Sequence, residues 1–222
     1  MIKSINALNR PEIAFHSPDF GGTLLDMKYL IFAFAFLIMA PAASAMVDNP
    51  YVAQAQNWLR NLDSAQSRFE QVAHNGTSMR GTFYIDRPGR LRFEYDAPTR
   101  DFIVADGFQI HFYDAEADQY NSAPIGQTLA DFILRDKVDF KNDVTIETVT
   151  ESQDHVHITL YQTDQQGMGT LTLNFSKTPF ALQSWDIVDA QGLRTSVILR
   201  DFDRTAKINP SIFTVDNRNL NE

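Results

Sequence analysis

The sequence predicts an α+β fold dominated by antiparallel β-strands, about ten or eleven in number. Three observations support this prediction. Residues 81–114 contain short runs in which apolar and polar side chains alternate, separated by Pro-Gly and Asp-Gly turn pairs. Residues 144–200 contain five further runs of the same kind. Two segments, 50–62 and 125–134, instead space their apolar residues as an amphipathic helix does.

The N-terminal region has the features of a secretory signal peptide. Residues 27–45 read MKYLIFAFAFLIMAPAASA, with an early lysine, an apolar run and a final Ala-Ser-Ala. The apolar run is well short of the roughly 20 residues that a membrane-spanning helix needs. Residues 1–26 precede this signal and show no periodicity, so we interpret Met27 as the translation start. Cleavage after Ala45 is expected to leave one secreted domain, residues 46–222.

Composition excludes several function classes. The chain has 222 residues, no cysteine and a formal net charge of −9, which removal of residues 1–45 leaves unchanged. Disulfides, thiolate catalysis, cysteine-bound zinc and lipid attachment at a cysteine are therefore excluded. The acidic charge argues against nucleic acid as a partner. Seventeen phenylalanines favour a large apolar interior.

The predicted domain opens with a helix. Asp48 or Asn49 is a suitable N-cap and Pro50 a suitable first residue. Tyr51 and Ala55, together with Trp58 or Leu59 and then Leu62, fall on one face at helical spacing. Such an apolar stripe more often packs on a sheet than contacts a ligand, so we expect packing.

The strands of the first half form a predicted meander. The first is expected at residues 67–72 and the second at 79–86, with an Asn-Gly turn between them. Asp106-Gly107 is typical of a two-residue type I′ hairpin. The side chains expected on the apolar face of the meander are Phe83, Ile85, Leu91, Phe93, Tyr95, Phe108, Ile110 and Phe112.

After the meander, the spacing of apolar residues changes from that of a strand to that of a helix. Residues 122–124, Ser-Ala-Pro, are interpreted as a break in the sheet, and residues 125–134 as a helix with Leu129, Phe132 and Ile133 on one face. This helix could simply cap one end of the sheet, or it could be a lid whose apolar face lines a cavity. The residues alone do not separate these two readings.

Two motifs resemble metal sites but lack required ligands. Asp114, Glu116 and Asp118 resemble the start of a calcium loop, but the positions that require glycine and glutamate hold Gln119 and Ile125. His155 and His157 share a strand face without a third ligand in sight, so a solvated outer face is favoured over a metal. The chain is expected to end with a short strand at residues 212–213.

Catalytic motifs are missing from the sequence. It has no G-x-S-x-G elbow, no glycine-rich phosphate loop and no H-E-x-x-H motif. The prediction is therefore a binding protein without enzymatic activity or cofactor. Long apolar side chains on one face of many strands favour a pocket for an apolar ligand such as an acyl chain.

Four sets of residues form motifs of a known family. They are Arg87-Pro88-Gly89-x-Leu91-x-Phe93, the segment FIVADG at 102–107, Phe112-Tyr113-Asp114 with Gln119, and WDIVDAQG at 185–192 with Thr195. These motifs resemble those of the LolA family, the periplasmic carriers of outer-membrane lipoproteins. The resemblance spans residues 51–213. It implies an incomplete, open antiparallel β-barrel with helices acting as a lid, and acyl chains held inside.

The resemblance also implies a set of site residues and partners. Arg87, otherwise readable as a solvated turn residue, would latch the lid by hydrogen bonds to its main chain. The expected partners are acylated lipoproteins, an inner-membrane lipoprotein-releasing transporter and an outer-membrane acceptor or membrane, and the carrier is expected to be a monomer. The side chains expected to line the acyl cavity are Phe83, Ile85, Leu91, Phe93, Tyr95, Ile103, Leu129, Phe132 and Ile133.

Three other classes of function are compatible with a β-sheet of this kind or with its pocket. The outer-membrane acceptor of the same pathway has a similar fold but needs a cysteine after its signal peptide, where this chain has Met46. A periplasmic module that senses lipid or misfolded protein, and regulates a membrane partner, is the main alternative to a carrier. A hydrolase would need acid and base groups inside the cavity, and an esterase assay would detect it.

Overall fold

The computed structural model describes residues 48–215. The expectations for residues 1–26, for the signal peptide at 27–45 and for cleavage before Met46 lie outside the described residues. Across 48–215, none of the helices combines the length and the apolar character needed to cross a bilayer.

The described chain is mainly β and antiparallel, as predicted. Most strands alternate buried and exposed side chains, which is the pattern that the sequence showed. The first strand begins three residues earlier than expected. The eleven strands of this part of the chain are β1 (Ser64–Val72), β2 (Ser78–Asp86), β3 (Arg90–Tyr95), β4 (Phe102–Asp106), β5 (Gln109–Asp114), β6 (Gln119–Pro124), β7 (Val144–Glu151), β8 (His155–Gln162), β9 (Gly169–Lys177), β10 (Phe180–Asp189) and β11 (Arg194–Asp203).

All eleven strands belong to one open sheet. Their order is β6-β5-β4-β3-β2-β1-β11-β10-β9-β8-β7, so β6 and β7 are edges that do not pair with each other. The sheet curls on itself, as shown by the rings of Phe93 on β3 and Trp185 on β10, which lie 6.2 Å apart although three strands separate β3 from β10. The fold is therefore the incomplete antiparallel barrel that was expected.

Irregularities of pairing help the sheet to curl. The register shifts between Gln66 and Arg68 on β1, between Leu182 and Ser184 on β10, and between Ile146 and Thr148 on β7. A bulge of this kind bends its strand and increases the local twist. Without such bends, so wide a sheet would not bring distant strands face to face.

Helix α1 (Pro50–Arg60) forms as predicted. The Asn49 side chain accepts a hydrogen bond from the Tyr51 amide at 2.9 Å, and proline occupies the first turn. Val52, Ala55 and Leu59 are buried. The Trp58 ring lies 5.7 Å from Phe175 and 5.6 Å from Phe202, so α1 packs on the inner face of β9 and β11.

The expected sheet break and long helix at residues 122–134 were wrong. Residues 122–124 end β6, where Pro124 is tolerated because an edge strand does not need every amide donor. Beyond them, a 3₁₀ turn (Ile125–Gln127) and a one-turn helix α2 (Asp131–Leu134) replace the continuous helix. Thr128 is extended, and its hydroxyl donates to the Ile125 carbonyl at 2.8 Å, which ends the first turn locally.

The prediction for the β4–β5 turn also requires correction. The β4–β5 loop consists of Gly107 and Phe108, and the Asp106 carboxylate accepts from the Phe108 and Gln109 amides at 2.9 Å each. Of the two loop residues, Gly107 alone has a positive φ, so this is not the type I′ turn that Asp106-Gly107 suggested. Phe108 leaves the apolar face and is 84% exposed.

The C-terminal segment of the described chain forms a 3₁₀ turn (Pro210–Phe213) instead of a short strand. Asn209 caps it by accepting from the Ser211 amide. The turn packs on the outer face of β3, where Arg92 donates to the Ile212 carbonyl at 3.1 Å and Phe213 is buried. This contact gives the sheet a small second core on its outer side.

Candidate functional site

A cavity of about 530 Å³ lies inside the curled sheet. Its walls come from the first strands, from the segment between β6 and β7, and from the last strands. Fourteen of its nineteen lining residues are apolar, and these are Leu91, Phe93, Ile103, Ile110, Phe112, Leu129, Ala130, Ile133, Met168, Leu171, Trp185, Ile187, Leu193 and Val197. A cavity of this size and composition is suited to an apolar ligand.

The structure brings five of the nine predicted cavity residues to this wall. They are Leu91, Phe93, Ile103, Leu129 and Ile133. Leu129 and Ile133 reach the cavity although no continuous helix presents them, because the short turns at residues 125–134 cross the gap between the two sheet edges. Their contact with acyl chains stays a prediction.

The other four predicted residues lie in the packed core and outside the cavity lining. The Phe83 ring is held between Phe93, at 4.8 Å, and Trp185, at 5.6 Å. Phe132 packs against Phe140 at 5.3 Å, and Ile85 is 1% exposed. Tyr95 is also buried, with its hydroxyl directed to the Gln71 side chain.

Sequence reasoning missed the wall contributed by β9–β11. Trp185 and Ile187 alternate along β10 with outward-facing residues, so the local signal for a strand face was present. The missing information was that β10 lies opposite β3. That relationship depends on pairing between β1 and β11, whose paired residues are more than 120 positions apart, and no local pattern encodes it.

Arg87 connects three parts of the chain at one end of the sheet. Its Nη1 donates to the carbonyl oxygens of Leu59 and, at 3.0 Å, Leu62 after α1. Its Nη2 donates to the carbonyl oxygens of Arg135 and Asp136, which follow α2. Burial lowers the pKa of the guanidinium from its ordinary value, but arginine remains charged at neutral pH. The free carbonyls at two helix ends thereby receive donors from one side chain.

A second contact joins the same turn to α2. The Gly89 amide donates to the Leu134 carbonyl at 2.8 Å. Arg135, next along the chain, forms an ion pair with Asp143 at 2.8 Å and another with Asp131. The segment that covers the gap between β6 and β7 is therefore fixed to the β2–β3 turn by main-chain and side-chain bonds.

The outer face of β8–β11 is polar and carries its own network. His157 shares a hydrogen bond with Asn174 at 2.7 Å, and Asn174 donates to Asp186 at 3.1 Å. Burial raises the pKa of Asp186, but hydrogen bonds from Ser196, Asn174 and Arg194 outweigh it and hold that pKa below its ordinary value. In residues 48–215, no three His, Cys, Asp or Glu side chains come together as a metal site.

The open barrel and its apolar cavity define a class of protein, one that binds apolar ligands inside a curled sheet. Residues 60–216 match the family model described as outer membrane lipoprotein carrier protein LolA. The chain belongs to this family, and the resemblance noted in its sequence motifs is confirmed.

Two relatives are distant in sequence but aligned over most of their length. An uncharacterised protein of Rickettsia prowazekii is 25% identical over 67% of this chain and 70% of its own. The outer-membrane lipoprotein carrier protein of Chromohalobacter salexigens is 24% identical over 80% of this chain and 91% of its own. The crystal structure of a LolA superfamily protein from Nitrosomonas europaea covers 79% of this chain and 99% of its own, with 12% identity and a TM-score of 0.42.

Proposed function

We propose that this protein is a periplasmic carrier that binds the acyl chains of lipoproteins in its cavity and takes them from the inner membrane to the outer membrane. It would receive cargo from an inner-membrane releasing transporter and deliver it to an outer-membrane acceptor or to the membrane itself. It is a binding protein with no chemical step. The observation that carries the proposal is the apolar cavity closed by a bonded lid in a member of this family.

The energetics require a lid that moves. An acyl chain with about fifteen buried methylenes would gain roughly 12 kcal/mol before any cost, at ~0.8 kcal/mol each. Cargo held so firmly would not leave. The cavity volume of about 530 Å³ suits one ligand of ordinary size, so cargo with several acyl chains would need more room. Cargo entry therefore opens the lid segment, and closure of that segment competes with the cargo.

Arg87 is the residue that we assign to this competition. Two of its four hydrogen bonds, those to the carbonyl oxygens of Arg135 and Asp136, exist only while the segment after α2 lies against the β2–β3 turn. The bonds stabilise the empty, closed form, so their energy offsets part of the acyl binding energy. Release can then proceed without a nucleotide, driven by differences in affinity between successive partners.

Native mass spectrometry tests the proposal directly. The protein is purified from the periplasm without detergent, and its bound peptides are analysed for the mass of an acylated N-terminal cysteine. Finding such peptides, together with their transfer to acceptor vesicles, supports a carrier. Protein that is empty when lipoproteins are abundant, and that extracts none from inner-membrane vesicles carrying the transporter, would contradict it.

A further inference from the structure

Three of the five polar residues of the cavity wall lie at one end of the sheet, and the other two, Gln127 and Thr128, belong to the segment after β6. Gln71 lies near the end of β1, Thr195 near the start of β11, and Asp189 at the end of β10. Strand pairing places them together, because Gln71 pairs with Val197 and Val188 pairs with Arg194. A ligand whose chain occupies the apolar part of the cavity would have its polar head at this end.

Asp189 carries the only charge among the nineteen lining residues, all of which belong to the described chain. It shares its strand face with Trp185 and Ile187, and both of these also line the cavity. The nearby cation Arg194 pairs with Asp186 on the outer face instead, at 3.0 Å. Within residues 48–215, Asp189 has no ion-pair partner.

The local fold fixes the position of this carboxylate. Its Oδ1 accepts hydrogen bonds from the amides of Gln191 and Leu193, both at 2.9 Å. These bonds belong to the β10–β11 turn and occupy one oxygen. The turn therefore holds a negative charge at the polar end of the cavity, where it acts on any charge placed beside it.

We propose that Asp189 is a specificity-determining residue that restricts the cavity to acyl chains attached to an uncharged or cationic head group. Free fatty acids and anionic phospholipids would place a second negative charge beside Asp189 and are disfavoured. The ester and amide linkages of an acylated peptide carry no such charge. The inference rests on the proposed function, since it assumes that acyl chains enter this cavity.

Competition with a neutral fluorescent apolar dye measures the selectivity. The competitors are hexadecanoic acid, methyl hexadecanoate and hexadecylamine, which share a chain length and differ in the charge of the head group. With the wild-type protein at pH 8, we expect the ester and the amine to displace the dye at lower concentrations than the acid does. Asp189→Asn should bind the acid about fivefold more tightly and the amine more weakly, with little change for the ester.

Asparagine is a suitable replacement because its side-chain oxygen can still accept from Gln191 and Leu193. Glu116→Gln is the matched control, since it removes one negative charge at an exposed position outside the cavity lining. We expect the control to leave the ranking unchanged. If Asp189→Asn does not fold, the ranking of amine and acid on the wild-type protein decides the question.

The outcomes separate the two proposals. Equal binding of acid and amine, unaffected by Asp189→Asn, would overturn the role of Asp189 while leaving the carrier proposal intact. Failure of all three competitors and of the dye to bind would overturn acyl binding in this cavity, and the inference with it.

Discussion

The guanidinium of Arg87, directly after β2, donates a hydrogen bond to the main-chain oxygen of Arg135, directly after α2. This bond ties the β2–β3 turn to the segment that closes the gap between the two sheet edges. Arg87 also bonds to carbonyl oxygens at the end of α1. One side chain thus holds both helical segments against the barrel.

Replacing Arg87 with leucine should favour the open protein. The change removes four hydrogen bonds and leaves main-chain carbonyls without these partners, at a cost of about 1–3 kcal/mol in the free energy of unfolding. Because the lost bonds to Arg135 and Asp136 belong to the closed state, acyl binding should be retained and transfer to an acceptor should slow. A transfer assay with acylated peptide and acceptor vesicles measures the rate.

Two controls accompany Arg87→Leu. Arg87→Lys keeps the charge but offers one ammonium in place of a planar fork, so we expect an intermediate effect. Arg80→Leu removes an arginine whose side chain is 68% exposed and should leave transfer unchanged. Transfer by Arg87→Leu at the wild-type rate would reduce Arg87 to a structural residue.

Phe93→Asp should abolish binding of a neutral apolar dye. Phe93 lines the cavity and is only 8% exposed, so the new carboxylate would be buried among apolar side chains. The matched control is Phe108→Asp at the β4–β5 loop, where the side chain is 84% exposed and outside the lining. Dye titration of both folded variants provides the comparison. Unchanged binding by Phe93→Asp would mean that the dye occupies another site.

Gly81→Ala should be strongly destabilising because two strands approach closely at this residue. An added Cβ would lie 2.1 Å from the Glu94 carbonyl oxygen on β3 and 2.7 Å from the Phe69 ring. We expect a loss of roughly 2–4 kcal/mol in the free energy of unfolding, measured in urea. Gly126→Ala, where no heavy atom lies within 4 Å of the new Cβ, should stay within about 0.5 kcal/mol. Similar stability of the two variants would contradict the packing at Gly81.

The sequence was sufficient to predict the strands, but it did not predict the structure of the segment that covers the cavity. Alternation in β2 and β3 is strong because one face is buried along the whole strand. Residues 125–134 have helical apolar spacing, yet the Thr128 hydroxyl competes for the Ile125 carbonyl and divides the segment. The helix propensity of these ten residues did not outweigh that local bond, because the segment must also span from the β6 edge to the β7 edge.

Five of the nine predicted cavity residues line the cavity and four do not, because local patterns do not show which strands face each other. Period two identifies which residues point inward, and it identified Leu91 and Phe93 correctly as inward-facing. It does not distinguish an inward residue that meets the cavity from one that meets the opposite wall. Phe83 is as apolar as Phe93, but it is enclosed between the rings of Phe93 and Trp185 and is only 2% exposed. Whether an inward-facing residue meets the cavity or the opposite wall depends on how far the sheet curls at that position along the strands.

The stability of the protein should depend on Tyr95 at alkaline pH. Burial raises the pKa of Tyr95 to about 12 from its ordinary value of 10, against a smaller opposing effect of the hydrogen bond to Gln71. The unfolded chain loses this proton near pH 10, whereas the folded chain keeps it until about pH 12. The contribution is therefore fully present below pH ~10, and ionisation of the unfolded state removes it between the two values, at up to about 1.4 kcal/mol per pH unit.

Tyr95→Phe isolates this effect from the other groups that titrate in the same range. The variant should be less stable than the wild type by about 1 kcal/mol at pH 8, because the bond to Gln71 is lost. Its free energy of unfolding should fall less steeply above pH 10, so the two urea-derived stability curves converge as pH rises. The difference in tyrosinate absorbance between the two proteins reports the ionisation of Tyr95 itself. If the absorbance difference has its titration midpoint close to pH 10, Tyr95 reaches solvent in the folded protein and the prediction is wrong. Stability curves that stay parallel above pH 10 would lead to the same conclusion.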